Sequence, residues 1–209
     1  STSSRWKLTR FLKEPLLHFV LAGAAIYLLF GLLGQSNEAV MDENTIVVIW
    51  GDHGWSLGEH TQWAKHSSFN VVNQIPLIIR TPDLSEDVKG SMADGLVESV
   101  DIYPTLTELA GLETPDHTQG SSFKALIDDP ESPGKSAVFT RWKNADSIRT
   151  GRYHYTEWRN RKGNVVARML FDHDEDPRET VNLSEASSYA SVVEKLHKQL
   201  AAHIRSVEV

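Results

Sequence analysis

Asp52 and His53 stand next to each other in the stretch TIVVIWGDHGWSLGEHTQWAKHSSFN, residues 45–70, with Lys65 further along between His60 and His66. An adjacent carboxylate and imidazole suit a divalent cation, and an ammonium in the same segment suits an anion, so the residue types point to a metal and an anionic substrate. Gly51, Gly54 and Gly58 let the backbone turn sharply around them. The apolar or β-branched run Thr45–Trp50 before Gly51 predicts a short strand buried on both faces, as in a parallel sheet. Polar groups just past the carboxyl end of such a strand sit at the edge where open α/β sheets bind ligands.

The string GDHGWSLGEHTQWAKHSSF closely resembles the second conserved block of the sulfatases, above all their iduronate-2-sulfatase-like branch. VNQIPLIIRTP, VDIYPTLTELAGL, SIRTGRYHYTEW and LFDHDEDPRETVNL continue the resemblance in the family's own order, over residues about 41–209. Linked blocks of this kind are far more specific than a lone DHG. The resemblance implies the C-terminal portion of such an enzyme. The fold class it implies is α/β, a partial alkaline-phosphatase/sulfatase-like sheet with a small C-terminal antiparallel sheet and helix.

Sulfatases of this kind hydrolyse sulfate esters with a hydrated formylglycine nucleophile, a divalent cation that is usually Ca2+, cationic groups on the sulfate and a His that protonates the leaving alcohol. Position by position, Asp52 matches a metal ligand and Lys65 matches the lysine on the substrate sulfate. His53 matches the next ligand position in the iduronate-like branch; because Ca2+ prefers oxygen, His53 orienting Asp52 or facing the nucleophile is the alternative. The implied partner is a sulfated sugar or another sulfate ester. His60 and His66 match no catalytic position and read as loop packing.

Formylglycine arises from Cys or Ser in a C/S-x-P-x-R string, and the sequence contains neither a cysteine nor that string; Ser132-Pro133-Gly134-Lys135 has the wrong spacing. The family's early Asp pair and its upstream Lys and His have no counterpart either. Members of a catalytic unit depend on one another, so the expectation is weak or absent Ca2+ binding and no sulfate-ester hydrolysis by this chain alone. A membrane-anchored pseudoenzyme or binding module, and a phosphoester or phosphonate hydrolase of the alkaline-phosphatase superfamily, are the alternatives.

The chain has 209 residues and a net charge of −7, enough length for a core and no basic field for nucleic acid. Residues 1–14 form a basic flank, and 15–34 (PLLHFVLAGAAIYLLFGLLG) are long and apolar enough for one transmembrane helix. The basic flank predicts a membrane-anchored protein with residues 35–209 extracytoplasmic. The segment KEPLLHFVLAGAAIYLLFG resembles the membrane anchor of parvulin-type peptidyl-prolyl isomerases, and residues 35–44 read as a junction between unlike sequences.

Two further stretches follow, 45–135 as the partial sulfatase α/β domain and 136–209 as a C-terminal α+β subdomain. Within them, IPLIIR (75–80) predicts a second buried strand, and 102–110 predicts a helix capped by Asp101 with Ile102, Leu106, Leu109 and Ala110 on one face. Segments 137–140, 147–150, 153–158 and 165–172 predict an antiparallel meander. Residues 191–207 predict an amphipathic helix with His197 and His203 at its surface or edge. Asp128-Asp129 lies in a turn composition, and the acidic run 172–176, cut off by Pro177, reads as a solvated or internally paired loop.

Overall fold

A computed structural model describes residues 44–207. The expected spanning segment 15–34, its flank, nearly all of the junction and the isomerase-like stretch lie outside the described residues. Among the described residues, no helix is long and apolar enough to cross a membrane.

Eight strands and four α-helices follow one another: β1 (Val47–Trp50), β2 (Ser56–Leu57), β3 (Trp63–Ala64), α1 (Asn70–Asn73), β4 (Leu77–Arg80), α2 (Ile102–Leu109), α3 (Lys124–Asp128), β5 (Ala137–Trp142), β6 (Ala145–Thr150), β7 (Tyr153–Arg159), β8 (Val165–Asp172) and α4 (Ala190–Val207). All but residues 44 and 45 of the described chain fall in one compact unit, Ile46–Val209.

The predicted meander is present as a four-stranded antiparallel sheet in the order β5-β6-β7-β8. Its first two strands run on to a two-residue turn at Lys143-Asn144, where Lys143 adopts φ 53°, a left-handed turn conformation. Both faces of β7 are buried because each meets a different partner. Tyr155 joins Ile148 and Leu170 of the neighbouring strands against Leu196 and Leu200 of α4, which together form the core. His154 and Thr156 point the other way and are equally buried. The 3.6-residue spacing of Leu196 and Leu200 explains why α4 lies along the sheet.

The front of the unit departs from expectation. β1 pairs antiparallel with β4, Val47 opposite Arg80 and Trp50 opposite Leu77, not within a parallel sheet. Neither strand is buried on both faces: Ile49, Trp50 and Ile78 are 60%, 52% and 61% exposed. With one partner each among the described residues, the two strands cannot cover both of their faces.

α2 also starts differently. A 3-10 turn, Ser99–Asp101, precedes it, and the Asp101 carboxylate turns back to accept from Glu98 N (2.8 Å) and Ser121 N (2.8 Å) while pairing with Lys135 Nζ (2.7 Å). Asp101 therefore ties the helix to the loop 119–135 and does not cap it. Of its predicted apolar face, Ile102 is buried and Leu106 and Leu109 only half-buried.

Leu200 is the clearest test of this core. Leu200→Ala should lower the unfolding free energy by about 2–5 kcal/mol, because the rigid sheet beneath cannot collapse into the cavity. Val166→Ala, at an exposed strand position, should leave the urea midpoint unchanged.

Candidate functional site

The site segment leaves β1 through Gly51, whose N–H donates to Pro76 O (3.0 Å). Gly54 N donates to Val72 O of α1 (2.7 Å). A Cβ on Gly54 would meet Val71 O at 2.1 Å, so only glycine allows the loop to lie this close to α1. Between these two anchors stand Asp52 and His53. The His53 ring donates from Nδ1 to Gly54 O (2.7 Å), since a carbonyl can only accept, and this leaves the Nε2 lone pair 3.5 Å from Asp52 Oδ2. The Asp52 side chain is 83% exposed.

The β2–β3 hairpin carries the chain onward. His60, Thr61 and Ala64 adopt φ 55°, 57° and 75°, and the turn at Ala64 redirects the chain so that Lys65 and His66 return toward Asp52. Both predicted packing histidines make ring contacts: His60 stacks on Phe69 at 3.7 Å and His66 on Trp142 at 4.8 Å.

Asp52, His53 and Lys65 line one open cleft of about 410 Å³. No carboxylate among the described residues pairs with the exposed Lys65 ammonium, which can therefore take an anion. The opposite wall comes from residues that sequence reasoning did not single out, Thr140, Arg141 and Trp142 at the end of β5. No local pattern marks them, because they reach the cleft only through the pairing of β5 with β6. Asn73 Nδ2 donates to Thr140 Oγ1 (3.4 Å), joining α1 to that strand.

As cation ligands, Asp52 and His53 fit in type and orientation. The carboxylate supplies hard oxygen, and the Nδ1–H bond fixes the His53 tautomer that leaves Nε2 able to ligate. Ca2+ takes about six to eight oxygens, however, and these two residues supply only a fraction of such a shell.

A second cluster lies behind the site. His154 Nδ1 and His173 Nε2 both bond Glu179 Oε1, at 2.6 and 2.8 Å, and Glu179 Oε2 accepts from Asn70 N at the start of α1 (2.8 Å). The three ligand atoms lie within 4.8 Å of one another, a grouping able to hold a metal ion. Each imidazole nitrogen already has a partner there, and Arg149 is the register partner of His154. The cluster thus works as a hydrogen-bonded clamp without an ion. Burial by itself would raise the Glu179 carboxyl, but the two histidine hydrogen bonds outweigh it and hold the group at about 2.

The acidic run is internally paired, as expected. Arg152 bonds Asp172 through Nε (2.7 Å) and Nη2 (2.6 Å) and reaches Asp174 at 3.2 Å, while Asp176 accepts from Thr180 N and Val181 N. Asp128 pairs with Lys124 at the surface. Contrary to expectation, His197 and His203 are engaged: His197 Nδ1 bonds the buried Glu157 (2.5 Å), and His203 stacks on Phe139 at 3.7 Å.

The family described as N-sulphoglucosamine sulphohydrolase, C-terminal, matches residues 58–206. A sulfatase from Formosa agariphila is 31% identical over 155 residues, 74% of this chain and 29% of that protein. Iduronate 2-sulfatase from Homo sapiens is 30% identical over 190 residues, 61% of this chain and 34% of that protein. A protein solved in complex with its substrate D-glucosamine-2-N,6-O-disulfate superposes with a TM-score of 0.70 at 26% identity, covering 86% of this chain and 37% of that one. The chain spans about a third of the length of these relatives.

Glu179 sets an acid limb for stability. Its folded value of about 2 lies below the ordinary 4.5, so its contribution is complete above 4.5 and is lost as pH falls through that interval. Glu179→Gln removes this titration. The stability gap between wild type and E179Q, on the order of 3 kcal/mol near neutral pH, should narrow as pH falls toward 2. Thermal melts across that range read it directly; a gap independent of pH would show that the carboxylate is not held in charged form.

Proposed function

This chain belongs to the sulfatase family, and from that premise we propose that its open cleft binds the sulfate group of a sulfated sugar. The observation that carries the reading is the convergence of Asp52, His53 and Lys65 on one cleft, although the hairpin β2–β3 separates the first two from the third. Lys65 neutralises the sulfate as an exposed point charge. Asp52 and His53 hold a divalent cation, Ca2+ by family, weakly where they act alone. Such a cation, when bound, draws charge from the sulfate oxygens. The remaining work at the site belongs to the chain's own groups. The Gly54 carbonyl keeps the His53 proton on Nδ1, and the Gly54–Val72 bond keeps the loop carrying Asp52 against α1.

The sequence has no formylglycine precursor string. We therefore take this chain by itself to be an anion-binding part of a sulfatase site that does not turn over. Residues 15–34 tether it to a membrane, with 35–209 outside the cytoplasm. A phosphoester or phosphonate would offer Lys65 the same tetrahedral oxygens, so the assay includes both substrate types.

The purified chain should hydrolyse neither an aryl sulfate nor a phosphonate monoester above the buffer rate. It should bind inorganic sulfate with an affinity that Lys65→Ala lowers about tenfold, the scale of one charge-assisted contact. Aryl sulfate turnover that disappears in Asp52→Ala would overturn the inactive reading. Phosphonate turnover alone would move the chain to the other substrate class.

A further inference from the structure

The wall of the cleft facing Lys65 has no role in the reading above, on which the following rests. Trp142 and Arg141 form it, at the point where the edge strand β5 enters its two-residue turn. The Trp142 ring lies nearly parallel to His66, 7° between planes and 4.8 Å between centroids, and His66 adjoins Lys65. Trp142 is therefore one stacked ring from the sulfate-binding ammonium, yet 38% of it remains open. Nearby surface positions also carry charge. Arg141 is half-exposed, its Nε aligned by Asp146 Oδ1 at 2.5 Å, and Lys143 Nζ lies 5.4 Å from the Trp142 ring centroid. Arg159 lies 3.9 Å from the second Asp146 oxygen, so the carboxylate that orients Arg141 is shared between two cations.

A lone sulfate needs only Lys65. An open indole beside it, flanked by further cations, suits a larger ligand with an apolar ring face and more than one negative charge. We propose that Trp142 and Arg141 form a glycan subsite. Trp142 packs against the C–H face of a pyranose ring whose sulfate sits on Lys65, and Arg141 takes a second anionic group, a carboxylate or another sulfate, on the same glycan. Aromatic faces supply rigid contact area at low entropic cost, and a guanidinium matches a carboxylate or sulfate better than an ammonium does. The substrate class is thus a multiply charged acidic glycan, not a small monosulfate. Strand pairing sets the subsite: β5 must reach Trp142 in register with Ala145 for both side chains to face the cleft.

Calorimetric titration of the full chain with three probes tests this: D-glucosamine-2-N,6-O-disulfate, glucosamine 6-sulfate and inorganic sulfate. Circular dichroism checks that each variant is folded. Trp142→Ala should weaken both sugars by about three- to tenfold and leave inorganic sulfate unchanged, and Trp142→Tyr, which keeps an aromatic face, should restore most of the loss. Arg141→Gln should weaken the disulfate more than the monosulfate, while Lys65→Ala weakens all three. If Lys65→Ala weakens all three but Trp142→Ala and Arg141→Gln leave the sugars unaffected, the subsite is wrong and the sulfate site stands. If no probe binds the wild-type chain, the sulfate site itself fails and the subsite falls with it.

Discussion

The buried carboxylate of Glu179 is the interaction on which the arrangement of the site depends. A charge removed from water needs donors on every side, and Glu179 finds them in three separate parts of the chain. His154 comes from β7, His173 from the loop after β8, and Asn70 N from the first residue of α1. The residue itself takes φ 59°, an uncommon conformation for a non-glycine, held in place by these partners. One side chain thus joins the four-stranded sheet to the short helix that supports the catalytic-type loop. α1 is only a turn long and would not persist alone; with Glu179 on its first N–H and Val72 O receiving Gly54 N, it becomes a fixed strut.

From that strut the cleft can be followed outward. Gly54 lies so close to α1 that no Cβ would fit, which sets where Asp52 and His53 emerge. Phe69, just before α1, stacks on His60 and meets Phe171 of β8 at 5.9 Å, so the hairpin and the sheet share an aromatic contact. Asn73, at the other end of α1, reaches Thr140 of β5. The anionic-ligand groups and the β5 wall therefore face each other across a gap whose width is set by α1.

The rest of the front is less enclosed. β1 and β4 cover each other's edges on one side only, and Ile49, Trp50 and Ile78 remain at the surface together with Trp55, Leu57 and Trp63 of the hairpin region. Contiguous apolar surface of this sort marks a place of contact more often than a finished exterior. The polar groups of the cleft are open to the same solvent, which screens Lys65 and leaves Asp52 without a second donor beside His53 among the described residues. The sequence blocks carry the identity of the site, but they do not make it a closed one.

Much was legible in the sequence because it is encoded locally. The strand–turn rhythm after residue 136, the spacing of Leu196 and Leu200, the internally paired acidic loop and the sulfatase-type segment with Asp52, His53 and Lys65 all follow from neighbours in the chain, and the family blocks add their order. What only the tertiary structure decided depends on residues far apart. The apolar run of β1 is equally compatible with parallel and antiparallel partners, and its pairing with β4 settled both direction and exposure. Nothing in HDEDPRET names Glu179 as the clamp, because its partners sit at positions 70, 154 and 173. Nothing in FTRWKN brings Trp142 to Lys65 until β5 and β6 are in register. Periodicity reports which face of an element is apolar; which face meets which is decided by packing the elements together, and there the site acquired its second wall.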